Sequence, residues 1–130
     1  MKRINVAIAI IQRARKILIC QRKPGASFGG YWEFPGGKVE GDESFQDCLL
    51  REVREEVDIV IGIDEQLSEI EHDYVSANVR LHPFLCHHLS GEPRLVAVQD
   101  VRWITPSELN SFKFPEGNES LNAEVIRRLT

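Results

Sequence analysis

The sequence predicts an α/β fold, an α/β/α sandwich built on a mixed β-sheet. Two observations predict it. Strand-like apolar runs are interleaved with helical stretches, the pattern that layers helices on a sheet. The chain has 130 residues, 42% hydrophobic and 28% charged, which is ordinary for a globular protein and enough for one domain around one core. The expected domain is residues 1–130.

The elements follow in chain order. Lys2 to Ile11 and Lys16 to Arg22 read as strands joined by the basic turn Gln12-Arg13-Ala14-Arg15. Lys23 to Tyr31 is a loop rich in Gly, Pro and Ser. Glu33 to Gly37 ends a strand, and Ser44 to Val57 is a helix. Glu65 to Tyr74 and Asn78 to Leu89 read as strands, with a turn near Val75-Ser76-Ala77. Gly91-Glu92-Pro93 marks another turn, and Val98 to Ile104 a short strand. Thr105-Pro106-Ser107-Glu108 starts a short helix with a capping box and Pro at its first position. Glu119 to Leu129 is the last helix.

The stretch from Gly37 to Ile59 carries most of the chemistry. It reads Gly37, five residues, Glu43, seven residues, then Arg51-Glu52-Val53-Arg54-Glu55-Glu56. Six specified residues at this spacing would meet by chance in roughly 10⁻⁵ of chains this long, so the pattern is not incidental. On a helix Phe45, Leu49, Val53 and Val57 form one apolar stripe, with Leu50 at its edge. Glu52, Glu55 and Glu56 fall in an arc of roughly 100° beside that stripe, between core and cleft. Like charges so close raise one another's pKa, and a hard divalent cation would relieve them. A glycine-ended loop running into such a helix can hold divalent metal against a polyphosphate. The plainer alternative is a solvated acidic face paired with Arg51 and Arg54.

These residues resemble the Nudix hydrolase box in every position but one: Asp58 stands where the family has glycine. Asp tolerates the left-handed conformation that a helix end needs there. Trp32-Glu33-Phe34-Pro35-Gly36-Gly37-Lys38-Val39-Glu40 and Phe114-Pro115-Glu116-Gly117-Asn118-Glu119 resemble the MutT-like branch of that family. The resemblance covers nearly the whole chain and implies the same α/β/α architecture. It implies a metal-dependent nucleoside triphosphate pyrophosphohydrolase using Mg²⁺, with Mn²⁺ as a substitute. The products would be a nucleoside monophosphate and pyrophosphate, and the favoured substrate 8-oxo-dGTP or dGTP, a role in nucleotide-pool sanitation that bears on DNA repair and replication. The alternative enzyme reading is a CTP, pyrimidine or other nucleoside triphosphate pyrophosphohydrolase. A non-catalytic nucleotide-binding module is the third reading, and the intact box glutamates speak against it.

The resemblance also suggests roles. Gly36, through its carbonyl, and Glu52, Glu55 and Glu56 are the expected metal ligands. Glu52 is the expected base, Glu55 a third ligand or one acting through water, and Arg51 orients a glutamate by a charge-assisted hydrogen bond. Glu43 sits at the helix start, near the positive end of its dipole. Arg22, Ser27, Glu33, Phe34, Pro35, Gly36 and Asn118 are the expected substrate contacts, although Arg22 also suits a solvated strand end and Ser27 a plain loop. Many MutT-like enzymes carry a further glutamate where this chain has Ala97, and Asp100, the nearest acid, could substitute for it or be a surface turn residue. Asn118 offers both a donor and an acceptor, which match O6 and the protonated N7 of 8-oxoguanine; it also suits the N-cap of the last helix.

Composition restricts partners. The net charge is −4, against the basic balance of a protein that binds long nucleic acid, so a small nucleoside triphosphate is the expected partner. No apolar run approaches the ~20 residues that span a membrane. Cys20, Cys48 and Cys86 are odd in number and form no CxxC, which suggests reduced thiols in the cytoplasm. Adjacent His87 and His88 point to opposite faces of a strand, and no zinc spacing joins them to His82 or Cys86. Trp32, Trp103, Phe84 and Phe114 read as core or cleft walls. The expected assembly is a monomer or homodimer.

Overall fold

The computed structural model describes residues 2–130. Its strands are β1 (Lys2–Arg13), β2 (Lys16–Gln21), β3 (Trp32–Glu33), β4 (Gly36–Lys38), β5 (Val60–Gln66), β6 (Ile70–Asp73), β7 (Ala77–Ser90) and β8 (Asp100–Ile104). Helix α1 spans Phe45–Val57 and α2 spans Glu119–Leu129, with 3₁₀ segments at Pro106–Ser111 and Glu116–Asn118. The sheet is mixed. Strand β1 runs parallel to β7, and the other pairings are antiparallel. The main path is β3-β2-β1-β7-β5; β4 also pairs with β1, β6 with β7, and β8 with β2.

Period-two alternation divides the core between the two faces of the sheet. Ala7, Ala9 and Ile11 of β1 pack with Leu49, Val53 and Val57 of α1. Ile8 and Ile10 pack on the other face with Leu121 and Val125 of α2. Each fully buried Leu or Val contributes about 1.5–3 kcal/mol. Leu50, expected at the edge of the stripe, is exposed.

Local chemistry shapes the ends of α1. The Ser44 side chain accepts from the Asp47 N–H at 3.0 Å, and Asp58 closes the helix with φ 54° and ψ 48°. Asp58 therefore does take the left-handed conformation. The first hairpin is tighter than the expected four-residue turn. Strand β1 continues to Arg13, and Ala14 and Arg15 turn the chain at φ 49° and 66°, the signature of a two-residue hairpin turn.

One strand assignment is corrected. The expected strand Glu65 to Tyr74 is two strands, β5 and β6, and β5 begins earlier, at Val60. The reason is β7, which is 14 residues long and pairs with both partners end to end. The partner changes beside Pro83, which has no N–H to donate to a ladder. There Leu67 leaves the strand, buries its side chain, and donates its N–H to the Pro83 carbonyl at 2.8 Å. The short helix after Thr105 is 3₁₀, and Glu108 accepts from the Thr105 N–H at 2.8 Å. Among the described residues, no helix is long and apolar enough to cross a membrane.

Candidate active site

Helix α1 lays its acidic edge against β4. A Cβ on Gly36 would overlap the Ala7 carbonyl oxygen, so only glycine lets β4 approach β1 this closely. A Cβ on Gly37 would stand 2.6 and 2.7 Å from the Glu52 carboxylate oxygens. The space that a side chain would fill is thus taken by Glu52. Next to it Glu56 Oε1 accepts the Gly36 N–H at 2.9 Å.

Arg51 organises the outer side of this helix edge. Its Nη2 and Nε donate to the two oxygens of Glu43 at 2.7 and 3.1 Å, a bidentate pair. Its Nη1 reaches Glu52 at 2.9 Å and Glu55 at 3.1 Å. The Arg51 hydrogen bond, then the Glu40 N–H, holds the Glu43 carboxyl down at about 2. Glu43 therefore anchors Arg51, and Arg51 fixes Glu52. The Glu52 side chain is 18% exposed and that of Glu55 is 56% exposed, so Glu52 faces the loop and Glu55 the solvent.

Burial dominates the electrostatics of the inner carboxylates. It raises Glu52 despite the Arg51 bond, and raises Glu33 despite Arg22. Burial, then the Glu33 charge, pushes Glu56 up to about 8, and the Gly36 N–H only partly offsets this.

Across β4 lies a cavity of about 240 Å³, lined by Val6, Ile8, Arg22, Glu33, Phe34, Gly36, Gly37, Lys38, Leu81 and Asn118. Arg22 Nη1 pairs with Glu33 Oε1 at 2.9 Å, and its Nε donates to the Ser27 carbonyl. Five of the expected contacts, Arg22, Glu33, Phe34, Gly36 and Asn118, meet here. Ser27 and Pro35 do not line it. Ser27 serves through its backbone, and the Pro35 carbonyl accepts the Ala9 N–H at 2.8 Å. The Asn118 side chain makes no capping bond to α2, and its φ and ψ of −89° and −7° are not those of an N-cap. Lys38, Val6, Ile8 and Leu81 were not foreseen as site residues. The alternation of β1, which sends Val6 and Ile8 to one face, was the available signal.

Asp100 does not line that cavity. Its Oδ1 accepts the Val101 N–H at 2.8 Å, and its Oδ2 lies 3.5 Å from Arg102. Ala97 is beside α1 instead. Its N–H donates to the Glu56 carbonyl at 3.1 Å, and that of Arg94 to the Val57 carbonyl at 2.9 Å. These bonds satisfy carbonyls that a helix C-terminus leaves open.

Comparison with known proteins gives the decisive observation: the NUDIX domain model matches residues 6–124. The chain belongs to the Nudix family. A CTP pyrophosphohydrolase of Escherichia coli K12 is 37% identical to this Nudix chain over 108 residues, 83% of this chain and 80% of that protein. An 8-oxo-dGTP diphosphatase of the same organism is 30% identical over 128 residues, 98% of this chain and 99% of that one. The solution structure of the E. coli ORF135 protein matches with a TM-score of 0.83 at 33% identity, covering 99% of this chain and 91% of that chain. A MutT structure from work on Aliivibrio salmonicida and Vibrio cholerae matches with a TM-score of 0.80 at 29% identity, covering 98% of each chain. The protein is a Nudix hydrolase of the MutT type.

Proposed function

We propose that this Nudix hydrolase is a metal-dependent pyrophosphohydrolase that converts 8-oxo-dGTP to its monophosphate and pyrophosphate, cleansing the nucleotide pool. The observation that carries this reading is Asn118, uncapped and lining the same cavity as Arg22 and the Gly36-Gly37 loop. An amide can donate to O6 and accept from the protonated N7 of 8-oxoguanine, whereas the bare N7 of guanine leaves one partner unmatched. At about 240 Å³ the cavity is smaller than the ~300–1,000 Å³ typical of sites that enclose a whole ligand. It suits a base, with the phosphates running out over β4 toward Glu52 and Glu56.

The donors fit a hard cation. Glu52, Glu56 and the Gly36 carbonyl are all oxygen donors, and Glu56, half-buried, forms no salt bridge among the described residues. Among the described residues, no three His, Cys, Asp or Glu side chains form a ready metal cage. Mg²⁺ commonly takes one or two carboxylates and completes its shell with water and substrate phosphate. These residues, with Glu55 as a third or water-mediated ligand, would hold Mg²⁺ or Mn²⁺, which would supply positive charge to offset the polyphosphate. Glu52 takes the proton from the attacking water, and Arg51 holds Glu52 in place for it. Lys38 and Arg22 supply fixed positive charge at the cavity wall.

A second reading, hydrolysis of CTP or another pyrimidine triphosphate, rests on the 37% identical CTP pyrophosphohydrolase. A panel of rates over 8-oxo-dGTP, dGTP, CTP and other triphosphates separates the two. Free buried thiols at Cys20, Cys48 and Cys86 support a reducing, cytoplasmic setting, with the protein acting as a monomer or homodimer.

A further inference from the structure

Gly117, immediately before Asn118, has no room for a side chain. A Cβ there would overlap the Tyr74 hydroxyl and stand 3.3 Å from Tyr74 Cζ and 3.3 Å from His72 Cδ2. Both residues belong to the β6–β7 hairpin, which is remote in sequence. Ile70 of β6 packs in the α2-side core, alternation sends His72 to that same face, and Tyr74 follows just past the strand. Their rings meet edge to face, with centroids 4.5 Å apart. The hairpin holds Tyr74 in place: its N–H donates to the Ala77 carbonyl at 2.8 Å.

The turn that presents Asn118 lies between Phe114, whose ring packs on Phe34 with centroids 5.5 Å apart, and the buried start of α2. The Asn118 N–H donates to the Pro115 carbonyl at 2.9 Å, while its side chain makes no capping bond. Between those anchors, the close contact of Gly117 with Tyr74 limits where Asn118 can lie. Burial, then the Glu116 charge, raises the Tyr74 phenol above its ordinary range.

We propose that Tyr74, backed by His72, is a seat for the Pro115–Asn118 turn and positions Asn118 at the base cavity. Tyr74 is a positioning residue, and glycine at 117 is the matching half of the contact. The role assigned to Asn118 rests on the function proposed above, but the seat itself is a matter of shape.

The test is a compensating pair. Gly117→Ala forces the new methyl and the Tyr74 hydroxyl apart and displaces the turn. Tyr74→Phe removes that hydroxyl and leaves Cζ at 3.3 Å, a gap that a small shift relieves. KM and kcat are measured for whichever of 8-oxo-dGTP, dGTP and CTP the unmodified protein turns over best. Displacing a binding group by a fraction of an ångström or more predicts a rise in KM of about tenfold or more for Gly117→Ala, with kcat nearly unchanged. The double variant Gly117→Ala/Tyr74→Phe should regain most of the loss. Tyr74→Ala, which removes the seat, supplies a second arm and should also raise KM if Gly117→Ala does not fold. An unchanged KM in Gly117→Ala or in Tyr74→Ala, a loss that Tyr74→Phe does not rescue, or an equal fall in kcat overturns the proposal. Equal rates on all three nucleotides in the unmodified protein would retire the base-reading role of Asn118, and the KM rescue would still judge the seat.

Discussion

Glu56 on α1 accepts a hydrogen bond from the Gly36 backbone N–H at 2.9 Å. One carboxylate thus ties the acidic helix to the glycine loop, and burial raises it to about 8. Near neutral pH and without a cation the carboxyl is therefore largely protonated, and a bound divalent cation would draw it to its charged form.

Glu56→Gln tests this. The glutamine oxygen can keep the Gly36 bond while the charge is removed. In the native state the carboxyl titrates at about 8, and in the unfolded chain near ~4.3. Between these values the native state binds more protons, so this group's contribution to stability falls as pH rises. Melting curves in chelator should show the unmodified protein losing stability from about pH 5 to about pH 8 more steeply than Glu56→Gln. Parallel profiles would contradict the assignment. Activity in Mg²⁺ should fall sharply in the same variant.

Gly37→Ala probes the Glu52 contact. The new Cβ would meet the Glu52 oxygens at 2.6 and 2.7 Å. A flexible carboxylate can move aside, so the melting temperature should change little. Its displacement should lower kcat by ~10²-fold, the scale of an ångström of misplacement in an active site. A fully active Gly37→Ala protein would show that Glu52 need not stand there.

Glu52→Gln should lower kcat by ~10²-fold or more, the scale of general-base loss. Asp100→Asn should cost far less, because Asp100 is occupied with its own neighbours Val101 and Arg102. Pre-steady-state and steady-state rates on both variants check the order. The reverse order would move the base to the β8 side.

Much of this was legible in the sequence because it is local. The period of Leu49, Val53 and Val57 and the left-handed Asp58 each follow from residues within a few positions, whereas Ser44, expected inside the helix, is its cap. The split between β5 and β6 was not, because it depends on Pro83 of a strand that arrives later. Gly62 also disguised β5. It sits under the His87 ring, where a Cβ would lie 2.6 Å from Nε2, and only the folded sheet shows why glycine stands there. In the site, the order of Glu43 before α1 and of Arg51 and Glu52 along it was readable. The cavity walls Val6 and Leu81 and the Arg22–Ser27 bond were not, since each joins residues on different elements or across a loop.

The comparison of kcat/KM for 8-oxo-dGTP and dGTP in Mg²⁺, with Asn118→Ala alongside, is the most direct test of the proposed function. A bidentate base contact discriminates by about 1–3 kcal/mol, or roughly tenfold to a few hundredfold. The unmodified protein should prefer 8-oxo-dGTP by that margin, Asn118→Ala should erode the preference without altering the Mg²⁺ requirement, and chelator should abolish both rates. Equal kcat/KM for the two nucleotides in the unmodified protein, or full turnover in excess chelator, would contradict it.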